Sequence, residues 1–97
     1  MPPLARVGVD TTTGHPPYPP VTFTTGSNTV YCNNSKVVVL GSMHPPHGCP
    51  DPKAPMPQYL TGGSSNVLIE SKPAGRLGDM DSCPECISSG SGNVICN

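Results

Sequence analysis

The chain has 97 residues, a formal net charge of −1 and only 11% charged residues. Its five basic residues are scattered along the sequence, which argues against a nucleic-acid-binding or anionic-membrane-binding surface. The length suits one small domain, 1–97, and 34% hydrophobic residues with one Phe and no Trp predict a thin core. Such a domain is expected to need a metal, disulfides or a partner chain for stability.

Two short phrases alternate along the chain, and each occurs three times. The first reads PLARVG at 3–8, KVVVLG at 36–41 and PAGRLG at 73–78, and the second reads SNTVYCN at 27–33, SSNVLIE at 64–70 and SGNVICN at 91–97. The valine-led runs are of strand type. Fourteen Pro and eleven Gly disfavour long helices, and no window shows the apolar spacing of a helix. The sequence therefore predicts an all-β domain of three short repeats.

The repeats predict a closed, pseudo-three-fold arrangement. Gly41 aligns with Gly78 at an offset of 37. The first half-unit, ending at Gly8, has no strand before it, and the last, ending at Asn97, has no turn after it. We expect the two chain ends to pair in space and complete the third unit. The three repeated glycines are expected at bends or at positive φ.

Polar residues are expected to close the turns between the predicted strands. NNS at 33–35 and ESK at 70–72 are typical turn sequences. Arg6 and Arg76 occupy equivalent positions, and Asp79 follows the third repeated glycine. An Arg–Asp pair at such a turn would have a structural role.

The Pro-, Gly- and Ser-rich segments between the repeats hold the candidate metal ligands. These are His15, His44, His47, Cys49, Cys83 and Cys86, with the spacings H-P-P-H-G-C and C-P-E-C. A structural zinc ion requires four nitrogen or sulfur donors, and both spacings bring two donors to one ion. A redox Cys-x-x-Cys is the alternative, but no βαβ pattern surrounds this one.

The other two cysteines and the N-terminus point away from a disulfide framework. Cys32 and Cys96 fill the repeat position that Ile69 occupies in the middle copy, so we expect them to be small core residues. The N-terminal MPPLARVGVD lacks the basic and apolar regions of a signal peptide. Without export to an oxidising compartment, five cysteines are expected to remain thiols or to bind metal.

The sequence resembles the PAAR-repeat family. The family's Pro-Ala-Ala-Arg phrase is matched by Pro73-Ala74-Gly75-Arg76 and more loosely by 3–6, whereas the copy at 36–39 lacks the arginine. The resemblance implies a small cone-shaped β domain with one structural Zn²⁺ near its apex, held by three histidines and one cysteine. It assigns the ligands as His15, His44, His47 and Cys83, the last because it follows GDMDS. Cys49 and Cys86 remain alternative ligands.

The resemblance also implies a mechanical, non-enzymatic function. Members cap the trimeric β-helical spike of phage tails and type VI secretion systems, one monomer on each trimer, and sharpen it for piercing a membrane. The expected location is a virion tail tip, or the bacterial cytoplasm before delivery through the target envelope; the short chain slightly favours a phage tail. We expect transient contact with the target membrane and no nucleic-acid partner.

Two other classes remain as alternatives. A small disulfide-rich extracellular binding module would leave one free cysteine of the five. A small zinc or thiol enzyme would need an open position on the metal, which four protein ligands would fill.

Overall fold

The computed structural model describes residues 1–14, 19–45, 58–82 and 85–97. Its strands are β1 Tyr31–Cys32, β2 Ser35–Lys36, β3 Met43–His44, β4 Gln58–Tyr59, β5 Leu68–Ile69 and β6 Lys72–Pro73. They form three antiparallel pairs, β1-β2, β3-β4 and β5-β6. The described residues contain no helix, which confirms the all-β prediction. No helix within these ranges is long and apolar enough to cross a membrane.

Two of the pairs are tight hairpins with two-residue turns. Asn33 and Asn34 have φ of 50° and 67°, and Glu70 and Ser71 have φ of 52° and 66°. Two successive residues at positive φ match the right-handed twist of hairpin strands. The turns lie in the predicted segments but are one residue shorter, because Ser35 and Lys72 already pair in the second strands.

A ring of three backbone hydrogen bonds closes the structure around a central axis. The Ala5 N–H donates to the Gly75 carbonyl (3.0 Å), the Gly75 N–H to the Val38 carbonyl (2.7 Å), and the Val38 N–H to the Ala5 carbonyl (3.0 Å). These three residues occupy the same position in the three copies of the first phrase. The bonds therefore relate the copies by a pseudo-three-fold rotation.

The residues flanking this ring explain why the strands are short. Their antiparallel bridges run in the same cyclic order, Leu4↔Arg76, Arg6↔Val37 and Val39↔Ala74. Each segment thus pairs with one neighbouring copy at its start and with the other two residues later. A chain that changes partners this quickly cannot build a long ladder.

The two chain ends pair with each other, as the repeat alignment predicts. Pro3 forms an antiparallel bridge with Ile95, and the Leu4 N–H donates to the Val94 carbonyl at 3.0 Å. The equivalent bonds in the other copies lie within single hairpins, from Val37 to Val30 and from Ala74 to Val67. The ends therefore supply the strand pairing of the third unit.

The turn at the end of the first phrase has the same backbone conformation at its glycine in all three copies but is stabilised by different side chains. Its glycine has positive φ in all three copies, as predicted: Gly8 75°, Gly41 88° and Gly78 91°. In the first and third copies an arginine pairs with an aspartate across the turn, Arg6 with Asp10 and Arg76 with Asp79. In the second copy the Val39 N–H donates to Ser42 Oγ instead (2.9 Å).

The core forms two layers along the axis, because successive residues of the first phrase point to opposite sides. The lower layer comprises Leu4, Cys32, Val37, Val39, Ala74 and Cys96. The upper layer comprises Ala5, Phe23, Val38, Leu60 and Ile87. Cys32 and Cys96 are buried free thiols, which confirms their predicted place in the core, and burial raises the pKa of the Cys96 thiol.

Candidate functional site

Three buried polar side chains lie at equivalent positions next to the upper core layer. They are Thr12, His44 and Asp81. Each directly follows a residue whose carbonyl accepts a backbone hydrogen bond from another segment. The Ser88 N–H donates to the Thr11 carbonyl, the Thr24 N–H to the Met43 carbonyl and the Thr61 N–H to the Met80 carbonyl. The same ring architecture that builds the core therefore brings one polar side chain from each copy to this end of the molecule.

His44 and Asp81 form a buried pair at the centre of this group. His44 Nε2 lies 2.7 Å from Asp81 Oδ2, with both side chains almost fully buried. His44 Nδ1 lies 3.0 Å from the Pro45 carbonyl oxygen. The ring packs edge-on against Phe23, with ring centroids 5.4 Å apart. Asp81 is itself oriented by the Glu85 N–H, which donates to Oδ1 at 2.9 Å.

The electrostatics of the pair favour a basic imidazole. Burial lowers the pKa of His44, but the Asp81 carboxylate and the Pro45 carbonyl outweigh that effect, and the pKa is raised above its usual value. A metal-ligating histidine commonly donates its second ring N–H to a carboxylate, which fixes the tautomer and makes the ligand more basic. The contact between Nε2 and Asp81 matches this arrangement, while Nδ1 contacts the Pro45 carbonyl oxygen.

Of the four predicted ligands, His44 is the one within the described residues. His15, His47 and Cys83 lie outside them, as does the alternative ligand Cys49. Within the ranges that the structure describes, no group of three or more His, Cys, Asp or Glu side chains is arranged to hold a metal ion. The zinc site therefore stays a prediction.

The other alternative ligand, Cys86, is half-buried beside a methionine. Its thiol donates to the thioether sulfur of Met80 at 2.9 Å, and the two residues form an antiparallel bridge. The next residue, Ile87, is part of the upper core layer.

Asp81 was missed by the sequence reasoning, although a signal for it exists. The offset of 37 that aligns Gly41 with Gly78 also aligns His44 with Asp81. A polar residue at an equivalent position of the neighbouring copy is expected to face the same axis. Extending the 37-residue alignment beyond the repeated phrases therefore predicts that His44 and Asp81 lie close together.

A second candidate site lies beside the lower core layer. Tyr31, Leu68 and Ile95 are 57%, 62% and 52% exposed and occupy the same position in the three copies of the second phrase. We call these three side chains the apolar rim. Each directly precedes a residue of the lower core or one packed against it, namely Cys32, Ile69 and Cys96. His44 contacts Phe23 of the upper layer, so the rim and the histidine lie at opposite ends of the core.

Comparison with known proteins identifies the repeat. The PAAR motif family model matches residues 59–97, which include β4, β5, β6 and the C-terminal segment that pairs with the N-terminus. No curated protein matches the chain. The PAAR motif is associated with structural spike-tip proteins of contractile injection systems. The motif match over residues 59–97, the strand-rich fold and the absence of helix in the described residues all support the resemblance of this chain to the PAAR-repeat family.

Proposed function

We propose that this chain is a non-enzymatic tip that caps the trimeric β-helical spike of a phage tail or type VI secretion system and sharpens it for membrane piercing. The apolar rim carries this proposal. Exposed apolar surface is a feature of protein interaction sites, and here it is contributed by large side chains from all three copies of one phrase. Here they recur at three positions that the backbone ring relates by pseudo-three-fold rotation.

The symmetry of the rim defines the kind of partner it fits. A single chain with three equivalent contacts can offer one to each subunit of a three-fold trimer. Tyr31, Leu68 and Ile95 lie at or beside short strand pairs, so strand addition by the spike could extend the contact. One monomer would then occupy the blunt end of each trimer. Its place would be a virion tail tip, or a spike assembled in the bacterial cytoplasm and delivered through a target envelope.

At the opposite end, we propose that one structural Zn²⁺ is held by His15, His44, His47 and Cys83. The described residues fit a zinc site in one respect: His44 is buried, with a carboxylate on Nε2. The other three ligands follow the buried polar positions in sequence: His15 comes three residues after Thr12, His47 three after His44, and Cys83 two after Asp81. Zinc would cross-link these segments and contribute its binding energy to folding.

Rim substitutions test the docking proposal. We expect Tyr31→Glu, Leu68→Glu or Ile95→Glu to weaken binding to a spike trimer from the same source at least about tenfold, since an unpaired charge at the centre of an interface costs more than about 1.4 kcal/mol. Val9→Glu is the matched control, because Val9 is similarly exposed at 47% but lies outside the rim. Wild-type affinity in a variant that carries all three rim substitutions together, or an equal loss in the control, would exclude the rim as the docking surface.

Metal content and thiol counting test the zinc proposal. Purified, untagged protein is expected to contain about one zinc per chain by elemental mass spectrometry, with all five cysteines titratable after denaturation and chelation. Cys83→Ser is expected to lose zinc and to unfold or become insoluble. A folded, metal-free wild type with paired cysteines would contradict the proposal and favour the disulfide-rich binding module.

A further inference from the structure

The arginines of the first and third repeats occupy two equivalent, fully described sites. Arg6 Nη2 donates to Asp10 Oδ1 (3.1 Å) and to the Gly90 carbonyl (3.4 Å). Arg76 Nη2 donates to Asp79 Oδ1 (2.9 Å) and to the Gly63 carbonyl (3.3 Å). Each guanidinium thus lies between a carboxylate of its own turn and a glycine carbonyl of another segment.

The middle repeat has lost both members of this ion pair but keeps the backbone that surrounds it. Val39 stands at the arginine position, and Ser42 Oγ accepts its N–H as the aspartates do in the other turns. Gly26 precedes Ser27 as Gly63 precedes Ser64 and Gly90 precedes Ser91. The Ser27 N–H donates to the Val37 carbonyl in the same way that its counterparts bond to Ala74 and Leu4.

A cavity of about 250 Å³ lies where the missing side chains would be. Its lining residues are Thr25, Gly26, Asn28, Val39, Leu40, Gly41, Ser42 and Lys72. The cavity is therefore lined by Val39, Ser42 and Gly26, which are the counterparts of the arginine, the aspartate and the glycine of the other two sites.

A carboxylate is hydrogen-bonded to Asn28, one of the residues that line this cavity. Glu70 Oε1 accepts the Asn28 N–H at 2.8 Å and also bonds the Ser27 hydroxyl. Glu70 is the counterpart of Asn33 at the offset of 37, and Asn33 Oδ1 accepts from Arg6 Nη1 at 3.4 Å. The middle repeat thus places a negative charge where the first repeat has an amide oxygen that contacts guanidinium.

We propose that this cavity binds the guanidinium group of an arginine side chain supplied by a partner protein. Gly26 provides the carbonyl, Ser42 a hydroxyl and Glu70 the charge, and a planar guanidinium is the cation whose several donors satisfy such a set together. Two arginines of the chain itself already occupy the equivalent sites, so the surrounding backbone is known to accept the group. The Lys72 ammonium also lines this cavity and repels a second cation. A change at Lys72 therefore tests whether the ligand is a cation or an anion.

This site does not depend on the proposed docking to a spike, since it rests on different residues from the apolar rim. The first and third repeats hold their own arginines at this place. A partner arginine would therefore engage the middle repeat alone. Such a contact would attach one partner segment to one side of a pseudo-three-fold molecule.

Amide chemical-shift titration with blocked tripeptides tests the proposal. Acetyl-Gly-Arg-Gly-amide is expected to shift Gly26 and Ser42 saturably, with a dissociation constant on the order of a millimolar, while Gly63 and Gly90 stay unchanged. Two control peptides are expected to bind about tenfold more weakly or not at all. In one, citrulline keeps the shape of the arginine side chain without its charge. In the other, lysine keeps the charge without the planar, forked arrangement of N–H donors.

Three variants of the full chain separate the alternatives. Val39→Arg/Ser42→Asp supplies an internal ion pair and should abolish the shifts; Glu70→Gln should weaken binding and Lys72→Gln should strengthen it. Saturable shifts at Gly26 with acetate or inorganic phosphate, lost in Lys72→Gln, would identify an anion site and overturn the proposal. Equal binding of the arginine and citrulline peptides, or no shift with the arginine peptide, would also overturn it.

Discussion

Replacing Gly75 with alanine probes the packing at the pseudo-three-fold axis. A Cβ atom at this position would lie 2.8 Å from Val38 Cγ1, 2.9 Å from the Val38 carbonyl oxygen and 3.0 Å from Leu60 Cδ2. The two side-chain atoms can move, but the carbonyl oxygen is held because it accepts the Gly75 N–H at 2.7 Å. The added methyl group therefore strains one of the three bonds that close the ring.

The size of the effect follows from two opposing contributions. Overpacking a tight core costs about 1–3 kcal/mol. Gly75 lies outside the left-handed region, so the change to alanine also stabilises by about 0.4–1 kcal/mol through the unfolded chain. We expect Gly75→Ala to lower the free energy of unfolding by about 1–2 kcal/mol, which corresponds to roughly 4–16 °C in melting temperature for a domain of this size.

A double-mutant cycle distinguishes this steric mechanism from a general loss of stability. Val38→Ala removes two buried methyl groups and should cost about 2 kcal/mol on its own. It also removes the Val38 Cγ1 contact of the Gly75→Ala methyl group and leaves the contact with the Val38 carbonyl oxygen in place. The double variant should therefore recover part of the strain and lose about 0.5 kcal/mol less than the sum of the single changes.

Denaturant melts at fixed zinc concentration measure these differences, since a bound metal shifts apparent stability. Gly92→Ala is the control, because a Cβ there meets no atom within 4 Å; it should leave stability unchanged or slightly raised. Gly75→Ala at or above wild-type stability, or strict additivity in the cycle, would refute the axial packing described here.

Three further predictions concern Glu70, the buried His44–Asp81 pair and the two core cysteines. The Ser27 hydroxyl, with the Thr29 and Asn28 N–H groups, lowers the pKa of Glu70 and outweighs the opposing effect of desolvation. This stabilisation is present above about pH 4.3 and lost as pH falls through the lower folded pKa, so acid melts of Glu70→Gln should show a shallower decline, and an unchanged slope would contradict this. Asp81→Asn should weaken zinc binding about 10–100-fold in chelator competition, because the carboxylate orients His44. An unchanged zinc affinity would show that Asp81 does not support a metal site. Cys32→Ala and Cys96→Ala should keep one zinc per chain by elemental mass spectrometry while losing about 1 kcal/mol of stability as core changes; loss of the metal would show that these thiols are ligands.

The parts of the fold that repeat in the sequence could be predicted from it. Gly8, Gly41 and Gly78 have the expected positive φ, and the pairing of Pro3 with Ile95 follows from a repeat that begins and ends midway. Arg76 and Asp79 form the expected turn pair. In each case local chemistry and the repeat alignment point to the same answer.

Other features depend on which copies meet across the ring, which the repeats alone do not specify. Strand β3 was not predicted, because Met43 and His44 lie between the repeated phrases and pair with a distant segment. The contact of His44 with Asp81 joins copies 37 residues apart. Likewise, the cavity at Val39 lies in a turn where valine and serine stand at the positions that arginine and aspartate occupy in the third copy, and the absence of the arginine alone does not predict it.

The chain-to-spike ratio in a purified complex tests the central claim most directly. The pseudo-three-fold ring and its apolar rim predict that one copy of this chain occupies the end of one trimer. Native mass spectrometry of the chain mixed with a trimeric β-helical spike protein from the same source should show one copy per three spike subunits, even with the chain in excess. Three copies per trimer, or no complex at all, would contradict the account.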